Sequence, residues 1–144
     1  MNTLNCGFIG LGLIGGSIAK AIRAAYPKSR LIAYDIRTSS LQEQVLDEIC
    51  PAVGAAFEGC DYIFLCAPVS CNAENLQTLK QYLSPHTILT DVGSVKTDIH
   101  HQVEALGLDG QFIGGHPMTG SERIGYQNSK TSLLENAYYI LTPS

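Results

Sequence analysis

The sequence predicts an α/β fold, a doubly wound and mostly parallel sheet with helices on both faces. Short apolar runs such as "CDYIFLCAP" alternate with longer amphipathic stretches, the pattern of strand, crossover helix and strand in a sheet covered on both sides. A glycine-rich turn, "GFIGLGLIGGS", links the first apolar run to the first amphipathic stretch. With 144 residues and 45% hydrophobic composition, the chain is predicted to form one domain over residues 1–144.

Two strand and helix pairs are predicted in the first third of the chain. The first strand is "LNCGFIG", followed by a helix from Leu13 to Tyr26. The second strand is "RLIAYDI". A second helix is predicted from Ser39 to Ile49, because Thr38 or Ser39 can cap its start and Pro51 stops it.

The remaining elements repeat this plan. The third strand is "CDYIFLCAP", which leaves the sheet at Pro68 because proline cannot continue a central ladder. A helix near Asn72 to Leu83 follows, then the strand "HTILTDVGS" and a helix from about Lys96 to Ala105. The last two strands are "GQFIGGHP" and "AYYILTP".

Composition excludes several classes of partner. The net charge is −4, so there is no general positive field for nucleic acid or an anionic membrane. No run approaches the roughly 20 apolar residues of a membrane helix. The N-terminal apolar stretch lacks the basic start of a signal peptide. We therefore expect a soluble cytoplasmic protein.

The cysteines and histidines give no sign of a metal site. The five cysteines are odd in number and form no C-x-x-C pair, which favours reduced, buried thiols over disulfides. His100 and His101 adjoin in sequence but point to different sides of a predicted helix. No metal is predicted.

The glycine-rich turn predicts a dinucleotide site of the Rossmann type. Gly10, Gly12 and Gly15 have the G-x-G-x-x-G spacing, directly after a strand and at the start of a helix. The first allows a tight turn, the second lets the backbone approach a pyrophosphate, and the third lets helix and strand pack closely. Free N–H groups at the helix start, around Leu13 and Ile14, are predicted to bind the phosphates.

The acid after the second strand selects the cofactor. Asp35 lies 20 residues after Gly15, where its carboxylate can accept hydrogen bonds from the ribose 2′-hydroxyl and repel a 2′-phosphate. NAD is therefore predicted rather than NADP, although Arg37 could accommodate a phosphate.

Ligands of doubly wound sheets lie at the carboxyl ends of the strands, so the loops there carry the chemistry. Three such loops stand out: "APVSC", "DVGSVK" and "GGHPMTGSE". Ala67 and Pro68 in the first are assigned to the cofactor. In the last, Gly114 and Gly115 are expected to end a strand, and Pro117 to hold His116 in an extended conformation that aims its ring into the cleft. From the residues alone, His116 is also consistent with a core histidine satisfied by the backbone, and Ser94 with a helix cap.

With these loops, the chain resembles the nucleotide-binding half of the prephenate dehydrogenase family, which includes arogenate and cyclohexadienyl dehydrogenases. The resemblance rests on "GLGLIGGS", "DVGSVK", "GGHPMTGSE" and "ENAYYILTP", and it covers essentially the whole chain. It implies NAD-dependent oxidative decarboxylation of prephenate, or of arogenate, in tyrosine biosynthesis.

The resemblance also implies roles for individual residues. His116 matches the histidine that accepts the proton of the substrate's ring hydroxyl, and Ser94 matches a serine that orients histidine and substrate near the nicotinamide. Ser121 and Glu122 match positions lining the substrate pocket. Lys96 either supports an anionic substrate or cofactor or simply lies in the first turn of a helix.

Family members usually continue into a second, helical domain, which forms a homodimer and supplies an arginine for the substrate carboxylates. That domain is absent from these residues, and Lys96, Arg123 and Lys130 are the few local cations in its place. The chain is therefore expected to be half of a longer dehydrogenase. The alternative is a stand-alone NAD-binding or regulatory module without turnover. A dehydrogenase for small 3-hydroxy acids is disfavoured by "DVGSVK" and "GGHPM".

Overall fold

The computed structural model describes residues 3–36, 45–93, 96–117 and 139–143. Within them the chain forms a seven-stranded sheet with the order β3-β2-β1-β4-β5-β6-β7. The strands are β1 (Asn5–Ile9), β2 (Arg30–Tyr34), β3 (Glu48–Ile49), β4 (Tyr62–Leu65), β5 (Ile88–Asp91), β6 (Phe112–Pro117) and β7 (Tyr139–Pro143). The described helices are α1 (Gly12–Ala25), α2 (Asn72–Leu79) and α3 (Thr97–Ala105). All neighbouring strands are parallel except β6 and β7, so the predicted fold class is confirmed.

The strand order creates a switch point at the centre of the sheet. From β1 the chain proceeds outward through β2 and β3, and it then returns to β4 on the other side of β1 before continuing outward. The connections after β1 and β4 therefore diverge at the carboxyl edge. This is where open α/β sheets bind their ligands.

Two apolar clusters cover the two faces of the sheet. On one face, Phe8 packs beside Phe64 with ring centroids 5.0 Å apart, near Ile18 and Ala19 of α1. On the other face, central strand residues pack with α2 and α3, among them Ile9, Ile63, Leu65, Leu89, Leu76, Leu79, Ile99 and Val103. Each large apolar side chain buried in this way contributes about 1.5–3 kcal/mol, so both helical layers are held mainly by burial.

The predicted helix from Ser39 to Ile49 is wrong in its described part. Residues 45–47 are not helical, and Glu48–Ile49 forms the edge strand β3 beside β2. Asp47 gives the reason: its N–H donates to the Leu31 carbonyl, and its carboxylate accepts the Leu31 N–H, both at 2.8 Å. Backbone and side-chain hydrogen bonds to β2 thus hold residues 47–49 in an extended conformation, although the apolar spacing of the segment suits a helix.

The other predicted elements occur with small shifts at their ends. Helix α2 ends at Leu79 and is followed by a 3-10 turn over Lys80–Tyr82, so the helical stretch closes close to the predicted Leu83. None of the helices in the described ranges is long and apolar enough to cross a membrane.

The cysteines are all free, and three are fully buried. Burial raises the pKa of Cys6 to about 12, and neighbouring Cys60 and Asp61 add to this shift. Burial also raises the pKa of Cys60 to about 11, although the Arg30 guanidinium opposes the shift. These thiols are therefore neutral packing groups, as the sequence predicted.

Candidate nucleotide-binding and active site

The turn between β1 and α1 is closed against the end of β4. Gly10 has a φ of +78°, and a Cβ placed on it would lie 2.5 Å from the Ala67 nitrogen and 2.7 Å from the Ala67 Cα. The Gly10 N–H donates to the Tyr34 carbonyl at 2.7 Å. Only glycine combines this backbone conformation with so close an approach of backbone to backbone.

The second and third glycines differ in what surrounds them. Gly12 has a φ of +56°, and apart from its chain neighbours and the backbone of α1, no atom of the described residues lies within 4 Å of a Cβ placed there. A Cβ on Gly15 would lie 2.9 Å from the Cys66 Cβ. Gly12 thus leaves an open approach to the backbone, whereas Gly15 allows α1 to pack on the end of β4.

The first turn of α1 offers its backbone to a ligand. The N-cap residue, Leu11, makes no side-chain capping bond, and no acidic residue lies within the first turn. The first N–H groups of a helix have no partner inside the helix, and with the helix dipole they favour an anion. Leu13 and Ile14, both half-buried, belong to this turn.

Asp35 lies just beyond the end of β2, and its carboxylate reaches back to the glycine turn. Its Oδ2 accepts the Leu11 N–H at 2.8 Å, which holds the carboxylate beside the start of α1. Ile36, the next residue, is 87% exposed. Arg37, the candidate for a 2′-phosphate, lies outside the described residues.

The end of β4 forms the opposite wall of this turn. Ala67 is half-buried and Pro68 is exposed. Burial raises the pKa of the neighbouring Cys66 thiol, and the carboxylates of Asp91 and Asp35 raise it further. The Cys66 thiol is therefore neutral. The two carboxylates that act on it, Asp35 and Asp91, come from opposite sides of the switch point.

Asp91 ends β5 and is 2% exposed. Its Oδ1 accepts a hydrogen bond from the Lys96 ammonium at 2.8 Å and another from the Gly115 N–H at 3.1 Å. The Lys96 Nζ also donates to the carbonyl oxygens of Gly93 and Gly115. This buried ion pair joins the loop after β5 to strand β6, one residue before the histidine.

His116 lies within β6 and is half-buried. The prediction that Gly114 and Gly115 end this strand is wrong, because β6 continues to Pro117 and His116 pairs with Ile140 of β7. A Cβ on Gly114 would collide with the Thr142 hydroxyl oxygen, so the glycine lets β7 lie close beside the histidine strand. The extended conformation predicted for His116 is confirmed.

Several predicted site residues lie outside the described residues. They are Arg37, Ser94, Ser121, Glu122, Arg123 and Lys130. Among those that are described, the structure brings Gly10, Asp35 and Ala67 together around one turn. It also places the Lys96 ammonium against the carbonyl oxygen of Gly115, the residue before His116.

Asp91, the first residue of the "DVGSVK" motif, is not among the site residues predicted from the sequence. A signal was present, because an acid ending a buried apolar strand needs a partner, and a lysine follows five residues later. The Gly115 contact, 24 residues away, has no signal in the sequence.

A glycine turn after the first strand, an acid after the second and a switch point beside them define a nucleotide-binding domain of the Rossmann type. The family comparison narrows this class. The family model described as "Prephenate dehydrogenase, nucleotide-binding domain" matches residues 18–144. The chain belongs to this family.

Relatives and solved structures agree with this assignment. The chain is 37% identical over 140 residues to a prephenate dehydrogenase of Lactococcus lactis, a match covering 93% of this chain and 39% of the relative. It is similar to the structure of prephenate dehydrogenase from A. aeolicus in complex with hydroxyphenyl propionate and NAD⁺, with a TM-score of 0.88, 32% identity and coverage of 100% of this chain and 52% of that one. For arogenate dehydrogenase of Synechocystis, the TM-score is 0.87 at 35% identity, covering 98% and 50%. The chain thus spans about half or less of the length of these relatives.

Proposed function

We propose that this chain is the NAD-binding half of a prephenate dehydrogenase, an oxidoreductase of tyrosine biosynthesis that converts prephenate to 4-hydroxyphenylpyruvate. One observation carries the proposal: in a chain of this family, the glycine turn and the strand bearing His116 both lie toward the carboxyl edge of one sheet. A cofactor on the turn and a proton acceptor on β6 can then serve one substrate.

The residues of the turn fit NAD. The open side of Gly12 and the uncapped start of α1, with Leu13 and Ile14, suit the pyrophosphate. Asp35, held at the turn by the Leu11 N–H, suits the ribose hydroxyls and disfavours the 2′-phosphate of NADP. Ala67 and Pro68, which follow β4, border the cofactor. The backbone of Gly10 lies close to that of Ala67 at this point.

Bound NAD supplies the acceptor for the hydride that leaves the hydroxyl-bearing ring carbon. His116 accepts the hydroxyl proton as the hydride departs, because a neutral imidazole is a suitable base near neutral pH. The carbon–carbon bond to the ring carboxylate then breaks and carbon dioxide leaves. The released electron pair makes the ring aromatic, and the oxygen regains a proton from the histidine.

The remaining assignments complete the substrate site. Ser94, which follows Gly93 in the sequence, orients the histidine and the substrate hydroxyl. Ser121 and Glu122 line the pocket beyond β6. A second, helical domain outside these residues supplies the homodimer contacts and a cation for the substrate carboxylates, in keeping with the share of the relatives that this chain spans.

Arogenate is the second candidate substrate, and the similarity of this chain to the arogenate dehydrogenase of Synechocystis supports it. The two substrates share the ring and its hydroxyl and differ in the side chain. Steady-state kinetics with each in turn would assign the preference from the ratio of the two kcat/KM values.

We place the protein in the cytoplasm. Its free cysteines include buried thiols such as Cys6 and Cys60, which suit a reducing compartment.

The proposal is tested in the longer protein that carries this domain. His116→Asn should lower kcat for prephenate by about 100- to 10,000-fold, because it removes the proton acceptor, while the Kd for NAD stays unchanged. His86→Asn is the matched control, since His86 is exposed and precedes β5 at the opposite edge of the sheet. Normal turnover by His116→Asn would remove the catalytic assignment, and a wild-type protein that oxidises neither substrate would remove the function.

A further inference from the structure

The ion pair between Asp91 and Lys96 lies where two neighbouring strands stop pairing. In the described residues, ladder pairing between β5 and β6 covers Leu89 with Phe112 and Thr90 with Ile113. One residue later on β5 comes Asp91, and two residues later on β6 comes Gly115. Beyond the ladder, the side chains of Asp91 and Lys96 take over the contact between the strands.

Gly115 is bound through both of its backbone polar groups. Its N–H donates to the Asp91 Oδ1 at 3.1 Å, and its carbonyl accepts the Lys96 ammonium. These two bonds replace the backbone hydrogen bonds that β6 would have received from a longer β5. They fix the peptide units on both sides of Gly115, and the second of these units leads directly into His116.

The Lys96 ammonium is fully engaged in these contacts. An ammonium has three N–H donors, and three oxygens surround it: the Asp91 Oδ1 and the carbonyls of Gly93 and Gly115. The side chain of Lys96 is 17% exposed and that of Asp91 is 3% exposed. A substrate carboxylate could bind this ammonium only by displacing one of these oxygens, and displacing Asp91 would leave its buried charge without its cation.

We infer that Asp91 and Lys96 are a positioning pair that holds the His116 strand and the loop after β5 in register, and that Lys96 acts on catalysis through His116 rather than as a cation for the substrate. The inference deepens the proposed function and rests on it for the catalytic part. Through Gly93 and Gly115, one ammonium ties together the two segments on which Ser94 and His116 are carried. The pair therefore sets the distance between the proton acceptor and the cofactor side of the site.

The kinetic test uses Lys96→Met and Asp91→Asn in the longer enzyme, which preserve side-chain length and shape while removing charge. Each should lower kcat by about 100-fold, because a misplacement of about 1 Å costs that much, with KM for prephenate and Kd for NAD nearly unchanged. The double variant should lose no more than the worse single variant, since both act through one contact. Lys80→Met and Asp98→Asn, both at exposed positions, are the matched controls.

A rise in KM for prephenate with kcat unchanged in Lys96→Met would overturn the inference and make Lys96 a substrate ligand. Additive losses in the double variant would also overturn it, because the two residues would then act separately. An unchanged kcat in both single variants would do the same.

A second measurement separates the positioning pair from the proposed reaction. Hydrogen exchange at the Gly115 amide, followed by NMR without substrate, should lose its protection in Lys96→Met and in Asp91→Ala, which removes the oxygen that accepts this N–H, and keep it in both controls. If the wild-type protein oxidises neither prephenate nor arogenate but this protection is lost, the proposed reaction fails and the pair's role at β6 stands. Unchanged protection in both variants would overturn the pair's role whatever the enzyme does.

Discussion

The two sides of the candidate site are built by different means. The glycine turn between β1 and α1 uses backbone conformation and the absence of side chains, at positions only a few residues apart. The histidine strand is held by a buried charge pair whose contact with Gly115 spans 24 residues of sequence. The Asp35 carboxylate also reaches across 24 residues to the Leu11 N–H, so sequence range alone does not separate the two sides. The glycine spacing leaves a pattern in the sequence, whereas the contact of Asp91 with Gly115 leaves none.

The largest expected effect lies in the turn. Gly10→Ala should lower the free energy of unfolding by about 3 kcal/mol or more, since it adds a left-handed backbone penalty to a collision with Ala67. Gly12→Ala is its matched partner, with a positive φ but no described atom nearby, and should cost only about 1–2 kcal/mol. Urea denaturation of both variants measures the difference, and equal losses would show that the contact with β4 is unimportant.

The next effect lies in the histidine strand. Lys96→Met should lower the free energy of unfolding by about 2–3 kcal/mol. Breaking a fully buried ion pair costs about 3–5 kcal/mol, and the loss here is smaller because the ammonium is partly exposed. The double variant Lys96→Met, Asp91→Asn should recover part of this loss, since no uncompensated charge remains. Thermal denaturation would show the recovery, and a double variant less stable than the single one would contradict it.

A smaller effect concerns the cofactor. Asp35→Ala should weaken NAD binding by about 1.5–3 kcal/mol, the range for a hydrogen bond to a charged group, and should narrow the preference for NAD over NADP. Calorimetry with both cofactors measures this, with Asp98→Ala as the control at an exposed position. If the affinity for NAD is unchanged, Asp35 serves only to hold the Leu11 N–H.

The smallest effect is at the edge of the sheet. Burial alone would raise the pKa of Asp47, but the Leu31 N–H and the Arg23 guanidinium together bring it below its usual value of 3.8. A lowered folded-state pKa means that Asp47 stabilises the protein above its unfolded pKa and that this contribution is lost as the pH falls through the folded one. Asp47→Asn should therefore make stability less sensitive to acid below about pH 4. Denaturation series at several pH values would show this, and an unchanged acid dependence would contradict it.

The same contrast explains how much the sequence could predict. The alternation of strands and helices, the glycine turn and the acid after β2 follow from periodicity and spacing, which are local properties. The segment before Cys50 was predicted as a helix because its apolar spacing suits one, but the free edge of β2 and the bonds of Asp47 with Leu31 make it a strand. The contact of Asp91 with Gly115 was not predictable either, because the two residues lie 24 positions apart and no spacing pattern links them. The roles of Ser94, Ser121 and Glu122 stay predictions.

The proposed function requires the glycine turn and the histidine strand to belong to one site. Titration of the protein with NAD, followed by NMR at the Gly12 amide and the His116 ring, tests this directly. We predict that both signals shift with a single Kd, while the ring of His86 at the opposite edge does not respond. A Gly12 signal that saturates while the His116 ring stays unchanged would contradict a shared site, because NAD would then bind out of reach of the histidine.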